Sequence, residues 1–129
     1  MVLLTKLFEP GKIGTMAVKN RLVMAPMIAG STSPEGFMEP RTIDYYAARA
    51  KGGVGLIITQ SSQALRIGRA PGRPGAWDDK FIPGMAQIAE EVHKHGAKIG
   101  WQLSLMAGEY VAMSSRNPTW RRYYMLSTN

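Results

Sequence analysis

The stretch Tyr45-Tyr46-Ala47-Ala48-Arg49-Ala50-Lys51-Gly52-Gly53-Val54-Gly55-Leu56-Ile57-Ile58-Thr59 carries the change of period that decides the fold. Its first half belongs to a segment, Arg41 to Lys51, in which Ile43, Tyr46, Ala47 and Ala50 recur at helical spacing on one face. Gly52 and Gly53 follow, and glycine can take the left-handed geometry that closes a helix C-terminus. Val54 to Thr59 is almost wholly apolar, which suits a parallel strand covered on both faces. A helix passing through two glycines into a doubly buried strand is half of a repeating α/β unit.

Working outward, the same unit recurs on both sides. Upstream, Leu22 to Met27 is an apolar run interrupted by proline, a buried strand that stops at Ala25 or Pro26. Downstream, the loop from Gln60 to Trp77 is rich in Gly, Pro and Arg. Asp78 and Asp79 then offer negative charge to the start of a helix carrying Ile82, Met85, Ile88, Ala89 and Val92. His93 and His95 fall in its last turn, where positive charge opposes the helix dipole; two residues apart, they point to different faces and do not share a metal. Ala97 to Leu103 is a third strand. Strands beginning near residues 22, 54 and 97, alternating with helices, imply parallel pairing and right-handed crossovers, in either a barrel or a doubly wound sheet. The expected layout is a leading hairpin over residues 1–21, a βαβαβ unit over 22–105 and an irregular tail over 106–129. That tail holds Arg116, Pro118, Trp120, Arg121, Arg122, Tyr123 and Tyr124 without amphipathic order.

Composition supports a packed domain and removes several classes of function. Of 129 residues, 45% are hydrophobic and 19% charged, enough to build a core, yet a whole (β/α)8 barrel takes about 250 residues. There is no cysteine, which excludes disulfides, cysteine-ligated zinc and iron–sulfur clusters within this stretch. Net charge is +7, concentrated in the loop with Arg66, Arg69 and Arg73 and in the tail with Arg116, Arg121 and Arg122. Such a balance suits solvated surface or an anionic partner, but no nucleic-acid-binding motif organises it, and none is expected. The start lacks a basic region followed by a long apolar core, and nowhere do about 18 apolar residues run together. Neither a signal peptide nor a membrane span is expected, and the cytoplasm is the expected compartment.

Parallel α/β folds bind ligands beyond the carboxyl ends of their strands, so the residues just after each apolar run are the candidates. These are Ala25, Pro26, Met27 and Ile28 after the first strand, the Thr59-Gln60-Ser61-Ser62 segment after the second, and Gln102 at the end of the third. None is a strong nucleophile. A glutamine amide both donates and accepts, matching the alternating edge of a pyrimidine-like ring, and small residues such as Ala25 and Ser61 leave room for a planar group. Nucleophile elbows, Walker loops, zinc-protease signatures and dinucleotide fingerprints are absent from the sequence. Adjacent Asp78 and Asp79 read as helix caps rather than an acid/base pair.

Four stretches resemble the Old Yellow Enzyme, or NADH:flavin oxidoreductase, family, closest to its 2,4-dienoyl-CoA reductase-like branch. They are Leu7-Phe-Glu-Pro-Gly-Lys-Ile-Gly14, Lys19-Asn-Arg-Leu-Val-Met-Ala-Pro-Met27, Tyr45 to Thr59, and His95-Gly-Ala-Lys-Ile-Gly-Trp-Gln-Leu103. The resemblance implies the N-terminal part of an FMN-binding (β/α)8 barrel. It implies FMN as cofactor, NADH or NADPH as reductant and an activated alkene or enoyl-type small molecule as acceptor, with a homo-oligomer allowed. By motif, Ala25 to Ile28 would lie along the flavin, Ser61 beside it, and Gln102 on its pyrimidine edge. Three departures stand out. Ile28 occupies a position where relatives often carry Thr or Cys, and Gln60 replaces a usual Glu. The family's Gln-Leu-x-His-x-Gly-Arg pattern becomes Gln102-Leu-Ser-Leu-Met-Ala-Gly108-Glu109. Catalytic residues are expected beyond Asn129, so the stretch reads as an N-terminal fragment, inactive alone. The alternative is a non-catalytic half-barrel interaction module that has lost FMN.

Overall fold

The computed structural model describes residues 4–66 and 71–105. A short helical turn α1 (Thr5–Phe8) leads into an antiparallel hairpin of β1 (Gly11–Ile13) and β2 (Met16–Val18), turned at Gly14 with φ +58°. The expected hairpin is present, preceded by a helical turn that the sequence pattern did not announce.

Three parallel strands form the central sheet: β3 (Val23–Met24), β4 (Leu56–Ile58) and β6 (Lys98–Gly100), in the order β3-β4-β6. Their register sets Val23 beside Leu56, then Leu56 beside Lys98 and Ile57 beside Ile99. The crossovers are α2 (Pro40–Lys51) and α3 (Ile82–Lys94). Proline stands in the first turn of each helix, where its missing N–H costs nothing. Gly53, at φ +100°, takes the left-handed position after α2. Before α3, a 3₁₀ turn (Asp79–Phe81) is capped by Asp78, whose carboxylate accepts the Lys80 main-chain N–H at 3.1 Å. That hydrogen bond holds the Asp78 carboxyl below its usual range. The capping role expected of this aspartate is met, on the 3₁₀ turn rather than on α3 itself.

The core joins the helices to one face of the sheet. Tyr46 and Ala50 from α2, Ile88 and Val92 from α3, Ile57 from β4 and Ala97 are buried together. Each such aliphatic side chain contributes on the order of 1.5–3 kcal/mol by leaving water. Of the expected α3 face, Ile88 and Val92 are buried, whereas Ile82 at the first turn is exposed. On α2, Thr42 is buried and its hydroxyl bonds both the Ser31 hydroxyl and the Ser31 main-chain carbonyl, which ties the loop after β3 to the helix.

The third strand, expected as one run from Ala97 to Leu103, is two. After β6 the ladder breaks at Trp101 and Gln102 and resumes as β7 (Leu103–Ser104), parallel to β5 (Ser62–Gln63). The long arginine loop returns beside β5, with Gln63 N–H donating to Pro74 O and Ala76 N–H donating to Gln63 O, both at 2.8 Å. Arg69 and the tail from Met106 onward, including Arg116, Trp120, Arg121, Arg122 and the tyrosines, lie outside the described residues. Among the described residues, no helix is long and apolar enough to cross a membrane.

Candidate functional site

The break in the ladder makes the site. Thr59 N–H donates to Gly100 O at 2.9 Å, and the next main-chain bond is Ser62 N–H to Gln102 O at 2.8 Å. Between them the Thr59 hydroxyl, itself buried, accepts the Gln102 N–H at 3.3 Å in place of a backbone carbonyl. Two rungs are thus held, and Ser61, just before the second, and Gln102, its acceptor, both border a common opening.

That opening is a cavity of about 360 Å³, within the range usual for small-molecule sites. Pro26, Met27, Ile28, Ser61 and Gln102 line it, five of the six residues that the resemblance set beside the flavin. Ala25 is the exception: it is exposed and does not line the cavity, because β3 ends at Met24 and the wall begins one residue later. Met27 and Ile28 present apolar surface that is more than half exposed, at 54% and 59%. The Ser61 hydroxyl is buried without a hydrogen-bond partner among the described residues. A buried hydroxyl left so costs about 1–3 kcal/mol, which a polar atom of a bound group would recover.

Sequence reasoning missed three lining residues, Arg73, Leu103 and Ser104. Leu103 was already the last residue of the expected third strand, and Ser104 could have been found by extending that strand one residue further. Arg73 read as solvated loop; only the pairing of the Pro74 carbonyl with Gln63 carries it back to the strand ends. Arg73 is the one charged residue among the lining side chains, so the cavity favours electron-rich or anionic groups. Gln60, in contrast, does not line the cavity. It is 1% exposed, its Oε1 accepting the Ala29 N–H and its own N–H donating to Tyr46 Oη, both at 2.8 Å. Among the described residues, no cluster of three or more His, Cys, Asp or Glu could hold a metal ion.

The sequence signature of the NADH:flavin oxidoreductase / NADH oxidase family matches residues 6–120. The chain belongs to that family. Among curated proteins, this flavin oxidoreductase chain is similar to a metal reductase of Desulforamulus reducens, 44% identical over 104 residues, covering 81% of this chain and 15% of the relative. It is also similar to an NADPH dehydrogenase of Bacillus subtilis, 42% identical over 101 residues, covering 77% of this chain and 30% of the relative. Among solved structures it superposes on a 2-naphthoyl-CoA reductase in complex with 2-naphthoyl-CoA with TM-score 0.79 and 29% identity, covering 84% of this chain and 16% of the other. An Old Yellow Enzyme from a Pichia species gives TM-score 0.75 and 29% identity, covering 85% and 29%. The chain therefore spans 15 to 30% of the length of these relatives. Strands β3, β4 and β6 are the first staves of the family's (β/α)8 barrel, which settles the choice between barrel and doubly wound sheet.

The chemistry of the lining is compatible with one side of a flavin ring. Pro26, Met27 and Ile28 offer an apolar surface to lie along the ring, the Ser61 hydroxyl needs a partner, and the exposed Gln102 amide can both donate and accept at a pyrimidine edge.

Proposed function

We propose that this chain forms the first wall of the FMN site of an NAD(P)H:flavin oxidoreductase whose acceptor is an activated alkene or enoyl-type small molecule. The gathering of Ser61, Gln102 and the Pro26–Ile28 segment around one cavity, with the Ser61 hydroxyl buried and lacking a partner among the described residues, carries this reading. Bound FMN would accept hydride from NADH or NADPH and deliver it to the acceptor. The residues of this chain bind and orient. Pro26 to Ile28 exclude water from one side of the ring, and Ser61 and Gln102 fix its rotation through directional bonds. Arg73 sets a positive potential at the rim. None of the cavity side chains is placed to donate a proton by general acid chemistry near neutral pH, since Ser, Gln and Arg hold their protons there. We therefore assign the proton donor to residues outside this cavity lining, and the described residues by themselves should show no turnover.

The test is an absorbance spectrum after adding FMN to the purified chain and desalting, with circular dichroism to follow folding. Near-stoichiometric flavin bands are expected, and Gln102→Leu should retain less flavin, its affinity reduced about five- to tenfold for one lost hydrogen bond. A folded chain that releases all flavin would overturn the reading that these strands hold the ring and would favour a non-catalytic half-barrel.

A further inference from the structure

We propose that Gln60 is a positioning residue that locks the apolar wall of the cavity to helix α2, so that the wall is formed before any ligand arrives. The inference rests on the flavin-site reading for what the wall contacts, but not for the lock itself.

Three observations carry it. First, Gln60 is buried between two elements and bonded to both: its Oε1 accepts the Ala29 N–H, and its main-chain N–H donates to the Tyr46 hydroxyl, each at 2.8 Å. Ala29 directly follows the wall segment Pro26–Ile28, and Tyr46 lies in the middle of α2 with 1% exposure. Second, the wall has little else to hold it. Strand β3 ends at Met24, and the side chains of Met27 and Ile28 are largely in solvent, so packing does not fix them. On the far side the next anchor is Ser31, held through Thr42 of the same helix. Third, the orientation of the Gln60 amide is determined: Ala29 offers an N–H, so only the oxygen can face it. The Nε2 is then left buried without a partner among the described residues. An unpaired buried donor is costly, and retaining it marks the Oε1 contact as the one that sets the side chain's position.

A preformed wall matters for binding because ordering a loop on ligand arrival subtracts from affinity. With Gln60 in place, α2, the end of β4 and the wall behave as one piece. Without it, the main-chain and side-chain hydrogen bonds flanking the segment from Ala25 to Gly30 among the described residues are those at Leu22 and Ser31.

The experiment is amide hydrogen exchange of the full chain without flavin, resolved at Ala29, for the wild type, Gln60→Leu and Gln60→Glu. The wild type should protect Ala29 more than Ile28. Gln60→Leu should raise Ala29 exchange about five- to tenfold with unchanged circular dichroism, and Gln60→Glu, which keeps an oxygen at the Oε1 position, should restore protection. With FMN added, Gln60→Leu should weaken retention and broaden the visible flavin bands, and Gln60→Glu should recover both. If Ala29 is unprotected in the wild type, or exchanges alike in wild type and Gln60→Leu, the lock does not exist. If Gln60→Leu does not fold, the wild-type comparison of Ala29 with Ile28 still decides. A wild type that protects Ala29 but retains no FMN upholds the lock and overturns the flavin-wall reading instead.

Discussion

At the scale of single residues, Tyr46 shows how one side chain serves both core and site. Its ring fills the center of the core and meets the Tyr45 ring edge-on, with centroids 5.1 Å apart. Its hydroxyl accepts the buried Gln60 N–H. Tyr46→Phe keeps the ring but leaves that N–H unpaired, so it should cost about 1–3 kcal/mol in urea unfolding without changing the helical circular dichroism signal. Burial also raises the Tyr46 pKa above its ordinary value of 10.0, the Gln60 hydrogen bond opposing the shift only in part. Because the folded-state pKa is the higher one, the stabilisation is fully present below about pH 10 and is lost as pH rises from there through the folded value. Stability of the wild type should therefore fall more steeply above pH 10 than that of Tyr46→Phe, as measured by urea titrations at stepped pH. Parallel curves would show that the phenol is free to ionise in the folded chain.

At the scale of elements, the glycine just before β4 explains how hairpin and sheet are joined. A Cβ on Gly55 would lie 2.6 Å from the Asn20 main-chain oxygen, since the chain entering β3 crosses directly over this position. Asn20 holds the crossing, its Nδ2 donating to Gly53 O at 2.7 Å and its Oδ1 accepting the Leu22 N–H at 3.1 Å. Gly55→Ala should force these backbones apart and cost about 1–3 kcal/mol, the range for overpacking, with a lower melting temperature as the readout. An unchanged melting temperature would mean that the crossing relaxes freely. This contact was not legible in the sequence, where Gly55 is only a weak spot in an apolar strand. What was legible has a local cause. The helical spacing of Tyr46 and Ala50, the glycine stop at Gly53 and the apolar run Leu56 to Ile58 each follow from neighbours in the chain. Pro26, Met27, Ile28, Ser61 and Gln102, chosen from sequence, line one cavity because parallel strands place their ends together whatever the loops do. The split of the last strand, the return of Arg73 and the burial of Gln60 depend on contacts between distant segments, to which periodicity is blind. Ala25 lies outside the cavity lining for a smaller reason: β3 ends at Met24, one residue before the expected stop.

At the scale of the whole molecule, the described residues form an open sheet. Strands β3 and β6 each pair with β4 alone, so both outer edges carry unpaired N–H and C=O groups. Apolar side chains stand exposed on the same structure: Val23 at 53%, Leu103 at 61% and Leu105 at 70%. A closed barrel removes such edges by pairing its first strand with its last, as in the family's fold. An open one with apolar residues along it is a template for association. The isolated chain should thus self-associate at concentrations on the order of tens of micromolar, and a lysine on the β3 edge should oppose this, since a charge there must be desolvated for another strand to dock. Val23→Lys is the appropriate change: Val23 is half-exposed, outside the buried cluster and not among the cavity-lining residues, so neither the core nor the wall is disturbed. Sedimentation velocity should show the wild type shifting to larger species with concentration and Val23→Lys remaining smaller at the same loading. If Val23→Lys associates as strongly as the wild type, the β3 edge is not the contact, and the remaining free edge, β6, would be the one that recruits a second sheet.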